Sequence, residues 1–352
     1  MTVCYFGQYN KNHPRNANII LGLQKNNVKV IEIHSRASKF KKHWLLFKEH
    51  WRIRNQYDLM IVGFPGQSIM LLAKIISKKK IIFDLHTSFY DTVILENKRH
   101  SKWSFSAFFL YFLDYIACHL ADKVMMDTRE HADYIASLLH LKREKVIVIY
   151  HGVNEEIFHY IPKVSSNSQV NDNFIVEFHG YIQPLNGMDL VIHAMSKLRQ
   201  ENIELWVIGA GSEYSGIQEL TKKLNLKNIK FYPIMNFSEL VPKISQADIG
   251  LGFFKQSSKG NRVVANKIYE LMSLKIPVVT GESKSCQSLF KHKEDIYYCK
   301  TNNVDSIANA FLELKHDKEL RKKIFMNAYS KIQDNFTIKI IGIKLIKELK
   351  IN

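Results

Sequence analysis

Short apolar runs, each closed by a turn and followed by a helical stretch, recur along the 352-residue chain, and this alternation limits the fold more than any single residue does. In the first half, residues 3–6, 28–33, 59–62, 80–85, 123–126 and 145–149 read as strands rich in β-branched, leucine and methionine residues. Helical periodicity fills 16–25, 36–54, 105–120 and 130–139. A strand, a glycine-containing turn and a helix open a βαβ unit, and a chain of such units makes a parallel sheet.

The alternation lapses at residues 162–173, rich in Ser, Asn and Gln, and restarts with strands at 174–178, 203–208, 229–232, 249–253 and 276–279. The predicted fold is α/β, with two doubly wound Rossmann-like domains at 1–161 and 174–335 joined by a linker at 162–173. Residues 336–352 form a basic terminal helix able to pack back on the first domain. The length is too great for one ordinary core.

A formal net charge of +17 points to an anionic partner: nucleic acid, a phosphorylated substrate or an acidic membrane face. No nucleic-acid recognition motif supports the first. Cys4, Cys118, Cys286 and Cys299 lack metal-ligand spacing, and no signal peptide precedes the strand-like start, so a reducing, cytoplasmic setting is expected. The apolar run 105–120 is short for a membrane span and carries Asp114 and His119, which predicts a buried helix.

The stretch GNRVVANKIYELMSLKIPVVTG, residues 260–281, places Asn266 as a helix N-cap, with Pro277 stopping the helix and a buried strand following. A helix start offers unpaired N–H groups and a positive dipole end to a diphosphate, and Lys267 adds a point charge. Glu270, one turn on, can accept from the two neighbouring hydroxyls of a ribose. A surface helix with a local Lys267–Glu270 pair fits the same residues.

Other candidates lie at strand ends, where open α/β sheets place ligands. Gly7 and Arg15 follow the first strand, His86 and Asp91 follow the fourth, and Gly180 and Gly187 flank a loop suited to cradling phosphate. Gly209-Ala210-Gly211 is a weak dinucleotide fingerprint, because Tyr214 takes the place of the third glycine. Residues 36–54 make a basic amphipathic helix. Its Trp44 and Trp51 alternate with Lys41, Lys48 and Arg52, a pattern that suits an anionic membrane surface as well as a packed helix.

With these residues placed, the chain resembles the GT-B glycosyltransferases, family 4 in particular, over nearly its whole length. The likeness rests on the entry loop with Gly7 and Arg15, FDLHTSFYDT around His86, ADKVMMDTREHADYI with KVIVIYHGVNEEIF, FHGYIQPLNGMDLVIHAM and NKIYELMSLKIPVV. The resemblance implies an acceptor-side first domain, a nucleotide-sugar-binding second domain and a cleft between them. It implies retaining transfer of a sugar from a nucleotide-diphosphate donor to a glycan or lipid-linked acceptor in envelope polysaccharide or glycoconjugate synthesis.

It also assigns roles. Glu270 would bind ribose, Lys267 phosphate, and His86 the donor sugar or reacting centre; Asp91 would face the acceptor hydroxyl. No cofactor and no metal are expected, and the chain has no Asp-x-Asp triplet. Peripheral contact with the inner face of the plasma membrane is expected through Lys41, Trp44, Lys48, Trp51 and Arg52.

Three departures stand out. Tyr181 and Asn186 occupy the phosphate loop's usual arginine and lysine positions, and Arg262 stands where the first of two glutamates belongs. Diphosphate binding would then rest on Lys267, Arg262 or Arg15. A sugar-nucleotide epimerase on the same fold and an inactive nucleotide-sugar or membrane-binding module are the competing readings.

Overall fold

The computed structural model describes residues 1–35, 37, 39–162 and 173–350, and the chain divides into two compact units. Unit 1 runs from Met1 to Gly152 and recovers the chain at Ile338; unit 2 is Val153–Thr337. The division falls ahead of the stretch expected to be a linker, of which residues 163–172 lie outside the described residues.

Unit 1 alternates β1 (Thr2–Gly7), α1 (Pro14–Lys25), β2 (Lys29–His34), α2 (Lys39–Ile53), β3 (Leu59–Val62), α3 (Met70–Ile76), β4 (Ile81–Asp84), α4 (Phe105–Leu120), β5 (Lys123–Met126), α5 (Arg129–Leu138) and β6 (Val146–Val148). Its described strands form one parallel sheet in the order β2-β1-β3-β4-β5-β6. Right-handed crossovers put α2, α3, α4 and α5 on one face and α1 on the other. The strand interiors, such as Cys4, Phe6, Met60, Val62, Phe83 and Met126, are buried.

Unit 2 repeats the scheme with β7 (Phe174–Tyr181), α6 (Met188–Lys197), β8 (Ile203–Ala210), α7 (Tyr214–Lys223), β9 (Ile229–Tyr232), α8 (Phe237–Ile244), β10 (Ile249–Leu251), α9 (Asn266–Ser273), β11 (Val278–Gly281), α10 (Lys284–Gln287), β12 (Tyr297–Cys299), α11 (Val304–His316) and α12 (Lys318–Asn335). Its described sheet is parallel in the order β12-β11-β10-β7-β8-β9. The strand order reverses between β1 and β3 in unit 1 and between β7 and β10 in unit 2. At such a reversal the flanking loops leave in opposite directions and open a crevice at the strands' carboxyl ends.

The terminal helix α13 (Ile338–Lys350) belongs to unit 1 and packs on α1 glycine to glycine. A Cβ added at Gly342 would stand 2.1 Å from the Gly22 carbonyl oxygen, while Asn26 Nδ2 donates to Lys339 O at 2.9 Å. The Gly22 carbonyl is backbone and cannot yield cheaply, and the Asn26 amide would also be met at 2.5 Å. Gly342→Val is expected to destabilise unit 1 by at least ~1–3 kcal/mol and to expose the terminal helix to limited proteolysis.

Two expectations are corrected. Asn266 is the first helical residue of α9 and not its cap; Ala265, at φ −64° and ψ 135°, is the N-cap and makes no side-chain cap bond. The helix expected to be buried, α4, is so on one side only. Ala107, Asp114, Ala117 and Cys118 face inward, while Phe105, Phe108, Phe109 and Phe112, at helical spacing, are exposed.

Candidate active site

In unit 2 the chemistry gathers where β7 ends. Strand β7 is apolar on one side, with Phe174, Val176 and Phe178, and carries Glu177 and His179 on the other, both buried. His179 Nδ1 lies 3.1 Å from the Glu177 carboxylate and its Nε2 lies 3.1 Å from Glu270 Oε2. Burial alone would favour the neutral imidazole; the two carboxylates outweigh it and raise the His179 pKa to about 9. The cationic ring therefore fixes the rotamer of Glu270, the residue expected to meet a ribose.

Lys267, one turn earlier on α9, is buried, and its Nζ makes no hydrogen bond among the described residues. The ammonium sits 3.3 Å from the centroid of Phe178 and 3.9 Å from where a Gly180 Cβ would stand. Burial lowers its pKa to about 7, against the pull of Glu177 and Glu270. A desolvated cation lacking an acceptor is costly unless an anion completes it. The missing Cβ at Gly180, where φ is +109°, leaves the backbone open directly above.

The other expected donor contacts take different parts. Asn186 is buried in its own turn, its Oδ1 accepting from Gln183 N at 2.7 Å, so it does not replace the lost lysine. Tyr181 is exposed. Arg262 is buried and donates from Nη1 to Ser258, which ties down the loop before α9. Gly187 is the left-handed start of α6. Gly209 and Gly211 let β8 and the chain after it press against β7: a Cβ on either would come within 2.1 Å or less of the Gly180 or Ile182 carbonyl oxygen.

In unit 1 the crevice between β1 and β3 is walled by Gly7, His13 and Phe64, with His86 at the end of β4. His86 adopts φ +49°, an unusual backbone for a histidine and one that a functional position commonly holds. Its ring packs edge-on against Phe64 at 4.8 Å and His151 at 4.9 Å. Burial, with His151 next to it, holds the His86 pKa well below its ordinary value; burial and Arg15 lower that of His151 to about 3. Both imidazoles are neutral at neutral pH.

Arg15, expected to face a donor, is instead locked in the interior. Its guanidinium is 1% exposed, straddles Asp84 with contacts of 3.0–3.2 Å and donates to the Ile149 carbonyl. Burial works against its charge, and Asp84 outweighs it. Asp91 likewise turns inward: it is buried and accepts from Tyr134 Oη at 3.0 Å, so it is a poor partner for an acceptor hydroxyl.

The sequence reading missed Glu177, His179, Asp127 and His151. Burial opposes charge on Asp127, yet His131, at 2.7 Å, with His151 and His86, holds its carboxyl below the usual range. The ligand atoms of His86, Asp127 and His151 lie within 4.8 Å of one another, a donor set able to take a divalent cation. The Arg15 charge, close enough to act on both imidazoles, opposes one there.

Two family models match in tandem: Glycosyltransferase Family 4 over residues 11–157 and Glycosyl transferases group 1 over 163–331. Two uncharacterized glycosyltransferases of Methanocaldococcus jannaschii align at 21% identity over 65% of this chain and at 26% over 75%. The matches span 60% and 67% of those proteins' own lengths. A D-inositol 3-phosphate glycosyltransferase of Mycobacteroides abscessus aligns at 25% over 37% of this chain and 31% of its own.

Among solved structures, Anabaena HepE in complex with UDP is similar with a TM-score of 0.76 at 16% identity, covering 99% of both chains. Sucrose-phosphate synthase of Thermosynechococcus elongatus gives 0.78 at 13%, covering 99% and 98%. At these identities the structural likeness carries the fold.

Proposed function

Because the chain belongs to the family 4 glycosyltransferases of the GT-B fold, we propose that it moves a sugar from a nucleotide-diphosphate donor to a glycan or lipid-linked acceptor with retention of configuration. The observation that carries this reading is the buried Lys267 ammonium without a hydrogen-bond partner, one turn from a carboxylate clamped by His179. A diphosphate supplies the anion that Lys267 lacks, and Glu270 accepts from the ribose hydroxyls. UDP is the first nucleotide to test, since HepE is similar in fold and was solved with it.

As the glycosidic bond breaks, negative charge grows on the departing diphosphate. Lys267 and the N–H groups at the start of α9 then stabilise the transition state more than the ground state. With these fixed charges the reaction needs no metal. His86, neutral and held by its ring neighbours, is the group assigned to the donor sugar. On α2, Trp44 and Trp51 are exposed with Lys41, Lys48 and Arg52, which supports contact with an anionic membrane bearing the acceptor.

The direct test is thermal stabilisation by UDP, GDP, ADP and CMP. One nucleotide is expected to raise the melting temperature, and Glu270→Ala to abolish that shift. Release of free nucleotide diphosphate then separates transfer from binding alone; binding without release on any acceptor tried would support the inactive module. The Lys267 pKa of about 7 adds a further expectation. A bound diphosphate favours the charged amine, so nucleotide binding takes up a proton, and affinity falls by up to about tenfold per pH unit above pH 7. Calorimetry in buffers of different ionisation enthalpy reads this uptake, and Lys267→Met should remove it.

A further inference from the structure

The outer side of α4 is apolar and uncovered. Trp103, just before the helix, is 97% exposed, and Phe105, Phe108, Phe109 and Phe112 follow at 83%, 66%, 54% and 49%. Spacings of three, four and seven residues put the four phenylalanines on one stripe, and Phe108 stacks on Phe112 at 6.0 Å. The neighbouring helix α3 continues the face with Leu71 at 60% and Ile75 at 73%. Monomeric proteins rarely leave so many large apolar side chains together in water.

The charges around this face say what covers it. Lys74, Lys78, Lys79 and Lys80 are exposed at the α3 end, and Lys98, Arg99 and Lys102 are exposed ahead of α4. Between Leu71 and Phe112 the acidic residues are Asp84, Asp91 and Glu96, of which the first two are buried. A second copy of the chain would bring the same positive rim against itself. Anionic headgroups complement the rim, while the aromatic stripe suits the boundary between headgroup and acyl chain, with Trp103 at its edge. No described helix is long and apolar enough to cross a membrane, so the face would lie on a bilayer and not in it.

We propose that the α3–α4 face of unit 1 is a docking surface for an anionic lipid bilayer, entered by the phenylalanine stripe and held by the lysine rim. This goes beyond the basic helix α2, where the exposed Trp44 and Trp51 flank a half-buried Phe47. It makes α4 the element that brings the protein to the membrane. It rests on exposure and charge and stands apart from the transferase reading.

The experiment is vesicle flotation of the full chain with phosphatidylcholine alone and with added phosphatidylglycerol. The wild type is expected to float with the anionic vesicles and to remain behind with the neutral ones. Phe108→Glu with Phe112→Glu is expected to cut the floated fraction at least tenfold, while melting temperature and the nucleotide-dependent shift stay as in the wild type. Reversing the rim with Lys78→Glu, Lys79→Glu and Lys80→Glu should weaken flotation without touching the stripe, which keeps the test valid if the phenylalanine variant misfolds.

Wild-type flotation that survives both variants would overturn the proposal, as would no flotation at all. A wild-type dimer by light scattering, made monomeric by the phenylalanine variant with neither form floating, would assign the face to a subunit interface. Retained docking with no nucleotide shift, or the reverse, separates this proposal from the transferase.

Discussion

Arg15→Met is expected to destabilise unit 1 by about 3–5 kcal/mol, lowering its melting transition by on the order of 10 °C. The substitution keeps most of the side-chain volume but strands Asp84, which is fully buried and takes three contacts from the lost guanidinium. A carboxylate left without its cation must either hold an uncompensated charge or take up a proton. Burial already pushes the Asp84 carboxyl upward, and Arg15 pulls against it, so protonation is the route taken. The Ile149 carbonyl loses its donor as well.

Adding Asp84→Leu to Arg15→Met should restore most of the loss, because removing both charges removes the penalty together with the attraction. Calorimetry of the three proteins measures this. The same series decides between the two roles considered for Arg15. A residue that served the donor phosphate would leave the melting transition nearly intact when replaced and would weaken nucleotide binding; the buried pair predicts the reverse.

The contrast between Arg15 and Lys267 shows what the sequence could and could not convey. Strands reveal themselves locally: Leu59–Val62 is apolar throughout and Lys123–Met126 is apolar after its first residue, because both sheet faces are covered, and their bounds match the structure. The last strand, Tyr297–Cys299, was not read, since three residues are too few to carry a periodicity. The position of His86 relative to a strand end was also legible, whereas Gly180, expected in the loop after a strand ending at Phe178, lies inside β7. Whether a cation faces outward or is consumed by a partner 69 positions away was not legible, and that separates Arg15 from Lys267.

Side-chain direction accounts for the remaining differences. Phe105 to Leu120 reads as largely apolar, and only the packing of Ala107, Ala117 and Cys118 reveals that the phenylalanines point away from the core. For Asn186, the structure shows the amide folded onto its own turn. His179 and Glu177 did leave a signal that went unused. Two ionisable residues two apart on an otherwise apolar strand must share one face of the sheet, and a buried pair of that kind needs partners. Asp127 offered the same clue as His86, an ionisable residue at the end of a parallel strand.

The second large effect concerns that pair. Replacing His179 by leucine should destabilise unit 2 by about 3–5 kcal/mol near pH 6, because Glu177, with no exposure at all, then loses the ring that meets its carboxylate. The His179 pKa is raised in the folded protein to about 9, above its unfolded value of about 6.5. The contribution of its charge is therefore fully present below pH 6.5, shrinks as pH rises and is gone once pH passes 9. Lys267 works in the opposite sense over part of this window, since its folded pKa of about 7 lies below its unfolded one, so the wild-type curve alone would mix the two.

The difference in unfolding free energy between wild type and His179→Leu isolates the histidine and should narrow steadily from pH 6.5 to 9. A difference independent of pH would show that His179 is neutral in the fold and that the clamp on Glu270 is an ordinary hydrogen bond. Glu177→Gln placed in the His179→Leu background should recover stability while nucleotide binding stays weak, because Glu270 has still lost the ring that orients it. Recovery of both would reduce His179 to a packing role and leave the orientation of Glu270 to α9 alone.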